Sequence, residues 1–206
     1  MKALIIVDMQ NDFMPGGALG VAGADRLVPT INALITQFPL VVATLDWHPV
    51  DHISFALNHP GKKVGDRIKV GEMEQILWPA HCVRNGEGAE LVSSLDRENL
   101  ASVFYKGTDP KIDSYSAFFD NARRKSTGLS DYLKSRGVTD VYLVGVATEY
   151  CVLYSSLDAI DLGFTVHVIT DACCPINLDP QDESRAYAAM AAKGVKVITA
   201  KEIFGA

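Results

Sequence analysis

Residues 141–156 read VYLVGVATEYCVLYSS, and their reading decides the fold. The six residues ending at Val146 are mostly apolar, as in a strand buried on both faces. Ala147-Thr148-Glu149-Tyr150 then breaks the run, and Cys151 is followed at once by helix-like sequence that closes at Gly163. This reading puts Cys151 in the first turn of a helix, where unpaired N–H groups and the helix dipole favour an anion. Such a position can draw a thiol below its usual pKa of about 8.5. The same N–H groups can hold the oxyanion of a tetrahedral intermediate. An inert buried thiol is the commoner fate of cysteine, so position alone does not decide between packing and chemistry.

Outward from this seam the pattern repeats. Apolar runs occur at 3–8, 40–45, 101–105, 140–146, 165–170 and 195–199. Between several of them lie helical patterns. The stretch 24–38 sets Leu27, Ile31, Leu34 and Ile35 on one face, with Pro29 marking a start near it, and 126–137 carries Ser and Thr caps and a closing glycine. Helix, glycine and strand in succession predict an α/β fold: a doubly wound, mostly parallel six-stranded sheet in a three-layer α/β/α sandwich. The 206 residues suit one domain over 1–206. Residues 46–88 break the rhythm: they hold both tryptophans, four of the five histidines and many Gly and Pro. An irregular insertion of that length is usually functional.

Composition narrows the class. Hydrophobic residues make up 48% and charged residues 21%, as in a soluble globular chain, and no apolar run reaches the roughly 18 residues of a membrane span. The opening MKALIIVDMQNDF reads as a first strand rather than a signal peptide. A net charge of −6 argues against nucleic acid or an anionic membrane as partner. Four cysteines are few for a disulfide scaffold, so a reduced, cytoplasmic chain is expected, with Cys82, Cys173 and Cys174 as packing residues.

Ligands of open parallel sheets sit beyond the carboxyl ends of the strands. The first strand ends at Asp8, the second at Asp46-Trp47-His48, the next at Lys106, and the fourth at Cys151. An acid, a metal-type pair, a lysine and a thiol thus gather on one edge. Asp8 beside a thiol can accept its proton and return it to a leaving group, and Lys106 would keep both partners ionised. Asp46 and His48 share a face by strand alternation, His52 follows, and WPAHCV supplies His81. One carboxylate with two or three imidazoles suits zinc, iron or manganese. His59 and His167 read as ordinary histidines.

These segments together resemble the nicotinamidases, of the isochorismatase-like cysteine hydrolases. IIVDMQNDFMPGGALGV resembles the family's opening, TLDWHPVDHISF and WPAHCV its metal segments, FYKGTDPKIDSYSAFFDN its lysine segment, and VGVATEYCV its nucleophile turn. All five fall in the family's order. The resemblance implies Cys151 as nucleophile, with Asp8 and Lys106 completing a triad. It implies one divalent ion on Asp46, His48 and His81, with zinc first and iron or manganese as alternatives, and His52 as a candidate further ligand. It implies a cis peptide between Val146 and Ala147 and an oxyanion hole from the amides of Ala147 and Cys151. Phe13, Trp78, Tyr115 and Val146 match the residues around the substrate's pyridine ring. The implied activity is deamidation of nicotinamide, and of pyrazinamide, through a thioester in NAD salvage. The alternative is another amidase on the scaffold, such as a carbamoyl-amide hydrolase. The implied partner is a small molecule, with a homo-oligomer left open. Ala117 departs from the more usual YSGF, and the metal motif sets the chain apart from the isochorismatases proper.

Overall fold

Alternation in the first strand shows why the sheet is covered twice. In the structure, a computed structural model that describes residues 1–205, strand β1 (Lys2–Val7) sends Leu4 and Ile6 into one apolar cluster and Ala3, Ile5 and Val7 into another. Successive side chains point to opposite faces, so a strand apolar at every position must be packed on both. β2 (Val41–Asp46) is buried along its whole length for the same reason.

Helix α1 (Leu27–Ile35) covers the first face, with the short α5 (Lys201–Phe204) beside it. Helices α2 (Leu129–Ser135), α3 (Leu153–Asp161) and α4 (Asp182–Ala192) cover the second. Between them lie β1, β2, β5 (Ser102–Lys106), β6 (Asp140–Val146), β7 (Thr165–Cys174) and β8 (Lys196–Ile198), in the order β5-β2-β1-β6-β7-β8. Every pairing in this sheet is parallel. The expected six-stranded α/β sandwich is therefore present. The strand order reverses between β1 and β6, the kind of switch point where open sheets bind ligands.

Two features differ from the sequence reading. Residues 46–88 are not wholly irregular, for they contain an antiparallel hairpin of β3 (Arg67–Val70) and β4 (Met73–Ile76). Its strands are largely solvent-facing and charged, so no apolar run marked them. β7 runs on to Cys174, past the apolar stretch, because Gly145 and Val146 pair with Cys173 and Cys174 after a register shift. None of the helices among the described residues is long and apolar enough to cross a membrane.

Gly145 marks the tightest approach in the sheet. Its φ is +115°, and a Cβ there would lie 2.0 Å from the carbonyl oxygen of Val7 on β1. Only glycine fits. Gly145→Ala adds overpacking to a left-handed backbone, and should cost roughly 3 kcal/mol or more of stability, seen as a lower urea midpoint with m unchanged. A loss of under about 1 kcal/mol would show that β1 and β6 can separate more freely than their packing implies.

Candidate active site

The carboxyl ends of the strands bring the expected residues together. Asp46 and Lys106 are the last residues of β2 and β5, and they are register partners. Asp8 follows β1 directly, with φ +51°. The π-type turn Thr148–Val152 joins β6 to α3 and carries Cys151, and the peptide between Val146 and Ala147 ahead of it is cis.

The ammonium of Lys106 is the hub. It lies 2.6 Å from Asp46 Oδ1 and 2.8 Å from Asp8 Oδ2. It donates to Asp46 Oδ1, to the Ser114 carbonyl at 3.1 Å and to Cys151 Sγ at 3.3 Å. Those three bonds use the three ammonium hydrogens. Asp8 Oδ2 is thus paired by charge but takes no hydrogen bond of good geometry, whereas Oδ1 accepts from Thr44 Oγ1 at 2.7 Å. A carboxylate oxygen of Asp8 and the sulfur of Cys151 lie within 4.8 Å of each other. All these side chains are buried.

Burial and charge compete at each group. Burial alone would pull Lys106 down, but Asp46 and Asp8 outweigh it and hold the ammonium well above the ordinary lysine range. Burial pushes Asp8 up against the pull of Lys106. For Asp46, Lys106 and then His48 overcome burial, and its carboxyl sits well below the usual range. Cys151 corrects an expectation. Burial, reinforced by Asp8 and Asp46, overrides Lys106 and pushes the thiol well above its ordinary value. The sulfur also sits in the turn ahead of α3 rather than in an α-helical first turn. Burial here thus favours the neutral thiol.

Asp46 faces two ways. Its Oδ2 lies 3.5 Å from His48 Nε2 and 3.8 Å from His81 Nε2. Nδ1 of His48 is 2.9 Å from the Gly107 carbonyl, and Nδ1 of His81 is 2.8 Å from that of Pro79. A carbonyl only accepts, so each Nδ1 carries a proton, and in the neutral imidazole each Nε2 is then the nitrogen free to bind a metal beside Asp46. Three donors facing one another in this way fit a divalent cation, and the Nδ1 bonds are the outer-shell support such ligands usually have. Charge agrees: Asp8 and Asp46 are buried against one ammonium, and Asp113 is buried near His48 and His52. His52 lies outside this trio but forms a second donor set with His48 and Asp113. Its Nδ1 is 2.7 Å from Ser54 Oγ, its Nε2 lies buried without a partner 4.0 Å from Asp113 Oδ1, and its ring packs 4.2 Å from that of His48. Burial and then His48 push its pKa down to about 4.

Local pairing explains how the irregular region delivers its ligands. His48 pairs with Val83, which draws His81 in, and Phe55 pairs with Trp78. Phe13, Trp78, Tyr115, Ala147 and Cys151 line a narrow cleft together with Asp46, His48 and His81. Trp78 Nε1 donates to the Tyr115 hydroxyl at 3.2 Å, fixing two of its walls. Val146, expected with them, is wholly buried and does not line the cleft; Ala147 does.

Several residues of the site escaped the sequence reading. Gln10 receives Asp46 N–H on Oε1 at 2.8 Å and donates to the Asp46 carbonyl at 2.8 Å, so it holds the Asp46 backbone on both sides. Asp12 accepts from Cys82 N–H at 2.7 Å, next to His81. Thr44 holds Asp8. Tyr150, Leu19 and Ile176 also line the cleft. Gln10 and Asp12 lie in the DMQNDF segment already singled out, and the interior polar Thr44 in LVVATL was a usable signal. Ile176 had none.

Comparison with known proteins agrees with this geometry. Residues 2–202 match the isochorismatase domain family, and the chain belongs to it. A nicotinamidase of Acinetobacter baylyi is 47% identical, over 98% of this chain and 94% of that protein. Among solved structures, an Acinetobacter baumanii nicotinamidase and pyrazinamidase superposes with a TM-score of 0.96 at 44% identity, covering 98% of this chain and 97% of that one. The Pyrococcus horikoshii pyrazinamidase in complex with zinc gives 0.79 at 41% identity, with 96% and 98% covered.

Gly107 is the most exacting support of the metal-type cluster. It has φ +62°, and a Cβ there would lie 2.3 Å from the His48 ring. Gly107→Ala should displace that ring and weaken divalent-metal binding about 10–100-fold, measured by competition with a chromogenic chelator. Wild-type affinity would remove His48 from the ligand set.

Proposed function

We propose that the chain is a nicotinamidase, converting nicotinamide to nicotinate and ammonia and accepting pyrazinamide as well. The observation that carries this reading is the meeting of thiol, carboxylate and ammonium beside an Asp/His donor set. The chain is also 47% identical, over nearly its full length, to a nicotinamidase.

The ring of the substrate lies between Phe13, Trp78 and Tyr115, with its carboxamide over Cys151. The open Oδ2 of Asp8 takes the thiol proton, and the thiolate attacks the amide carbon. Lys106 compensates the negative charge that moves from Asp8 to sulfur. The amides of Ala147 and Cys151 receive the oxyanion. Asp8 returns its proton to the departing nitrogen as the C–N bond breaks, leaving ammonia and a thioester. Asp8 then takes a proton from water, the resulting hydroxide displaces sulfur, and the proton passes back to restore the thiol. Asp46, His48 and His81 would hold a divalent ion, zinc on the Pyrococcus precedent, whose Lewis acidity when bound orients the ring nitrogen. His52 and Asp113 border that site. Free thiols, as all four cysteines are, suit a reducing cytoplasm, and release of nicotinate suits a role in NAD salvage.

Purified protein should release ammonia from nicotinamide and lose this activity with a chelator. Cys151→Ala should abolish release while keeping fold and metal, and Asp8→Asn should slow it by about 10²–10⁴. Ammonia release at the wild-type rate by Cys151→Ala would exclude covalent catalysis. Preference for ureido acids over nicotinamide and pyrazinamide would favour a carbamoyl-amide hydrolase instead.

A further inference from the structure

The turn that carries Cys151 holds a second buried carboxylate, which the proposed chemistry does not use. Glu149 is 7% exposed. Its Oε1 accepts from Ile176 N–H at 2.9 Å and from Asn177 N–H at 2.6 Å, and its Oε2 lies 3.2 Å from the Ile176 nitrogen. A buried carboxylate is unfavourable unless its oxygens are satisfied, and here backbone amides of the segment after β7 satisfy them. That segment has a second anchor. Asn177, at φ +53°, accepts from the Glu183 N–H in the first turn of α4 at 3.0 Å.

What Glu149 holds matters for the site. Ile176 lines the same cavity as Cys151 and the aromatic residues. Tyr150, between Glu149 and Cys151, packs edge-on against Trp78 at 5.0 Å and against Tyr115 at 5.5 Å. Three consecutive residues therefore share the site: Glu149 binds the backbone of Ile176, Tyr150 packs against Trp78 and Tyr115, and Cys151 lines the same cavity. Packing alone does not require a carboxylate here, because an apolar side chain would fill the space but leave two amides without acceptors.

We propose that Glu149 is a positioning residue, which fixes the Ile176 wall at a set distance from the Cys151 thiol and so determines how tightly the substrate ring is held. This rests on the amidase reading above. Because Glu149 acts through the backbone of Ile176, removing either side chain should loosen the same contact. Its effect should fall on binding common to ground state and transition state, which raises KM and spares kcat.

The experiment is a double-mutant cycle of Glu149→Gln and Ile176→Ala on the metal-loaded full chain, with amide hydrogen exchange as a second readout. A glutamine side chain keeps one acceptor oxygen but no charge, so the two amide bonds fall from charge-assisted to neutral strength. Glu149→Gln should raise KM for nicotinamide by about 5–10-fold with kcat within about twofold. Ile176→Ala should do the same, and the double variant should exceed neither single variant by more than about twofold. Exchange at the Ile176 and Asn177 amides should accelerate at least about tenfold in Glu149→Gln. Additive KM effects, an unchanged KM, or a collapse of kcat alone would overturn the proposal. If Glu149→Gln does not fold, Ile176→Ala decides alone, and an unchanged KM overturns it. A wild-type chain inactive on nicotinamide would defeat the amidase reading, while the exchange at residues 176 and 177 would still test the role of Glu149.

Discussion

A single buried ammonium organises the catalytic end of this sheet. Isolated in the interior, a lysine would lose its proton, yet Lys106 stays charged because two carboxylates lie within 2.8 Å of its nitrogen. That pairing fixes more than the lysine. By taking Asp46 Oδ1, it turns Oδ2 toward the two imidazoles. The remaining hydrogens of Lys106 go to Ser114 and Cys151, and a carboxylate oxygen of Asp8 lies within 4.8 Å of that sulfur. Neutralising Lys106 would leave Asp8 and Asp46 repelling each other in a dry pocket, which is far costlier than losing an exposed ion pair.

Around this rigid hub, the irregular insertion supplies recognition. The β3–β4 hairpin is mostly solvated, but Gln75 turns inward and donates to Asp113 Oδ2 at 3.0 Å and toward the Tyr115 hydroxyl at 3.3 Å. Trp78 reaches the same hydroxyl. A wall of the cleft is thus tied to an excursion outside the main sheet, the common division between a stiff scaffold and the loops it carries.

The main sheet was legible because strands buried on both faces write themselves as continuous apolar runs, and the polar residue that ends each run marked the site. Asp8, Asp46, Lys106 and Cys151 were all found this way. The resemblance to a known family added the roles. Other parts left no such trace. The hairpin is short and partly exposed: RIKV alternates over only four residues and MEQI not at all, so no apolar run marked it. The extra residues of β7 depend on a register shift against β6. The thiol's upward shift reflects total burial and two nearby carboxylates, which no local spacing reveals. Ile176 is placed by backbone bonds to Glu149, which lies far away in the sequence.

The central position of β1 has a consequence for how the molecule assembles. Its partners come from very different stretches of chain: β2 follows soon after it, but β6 comes from the far half. Bringing such distant segments together is entropically slow. During synthesis, the acid and the first metal donors can therefore pair while the sulfur is still untranslated. The sulfur reaches the acid only when β6 pairs with β1, and residues of β7 and α4, later still in the chain, complete the core.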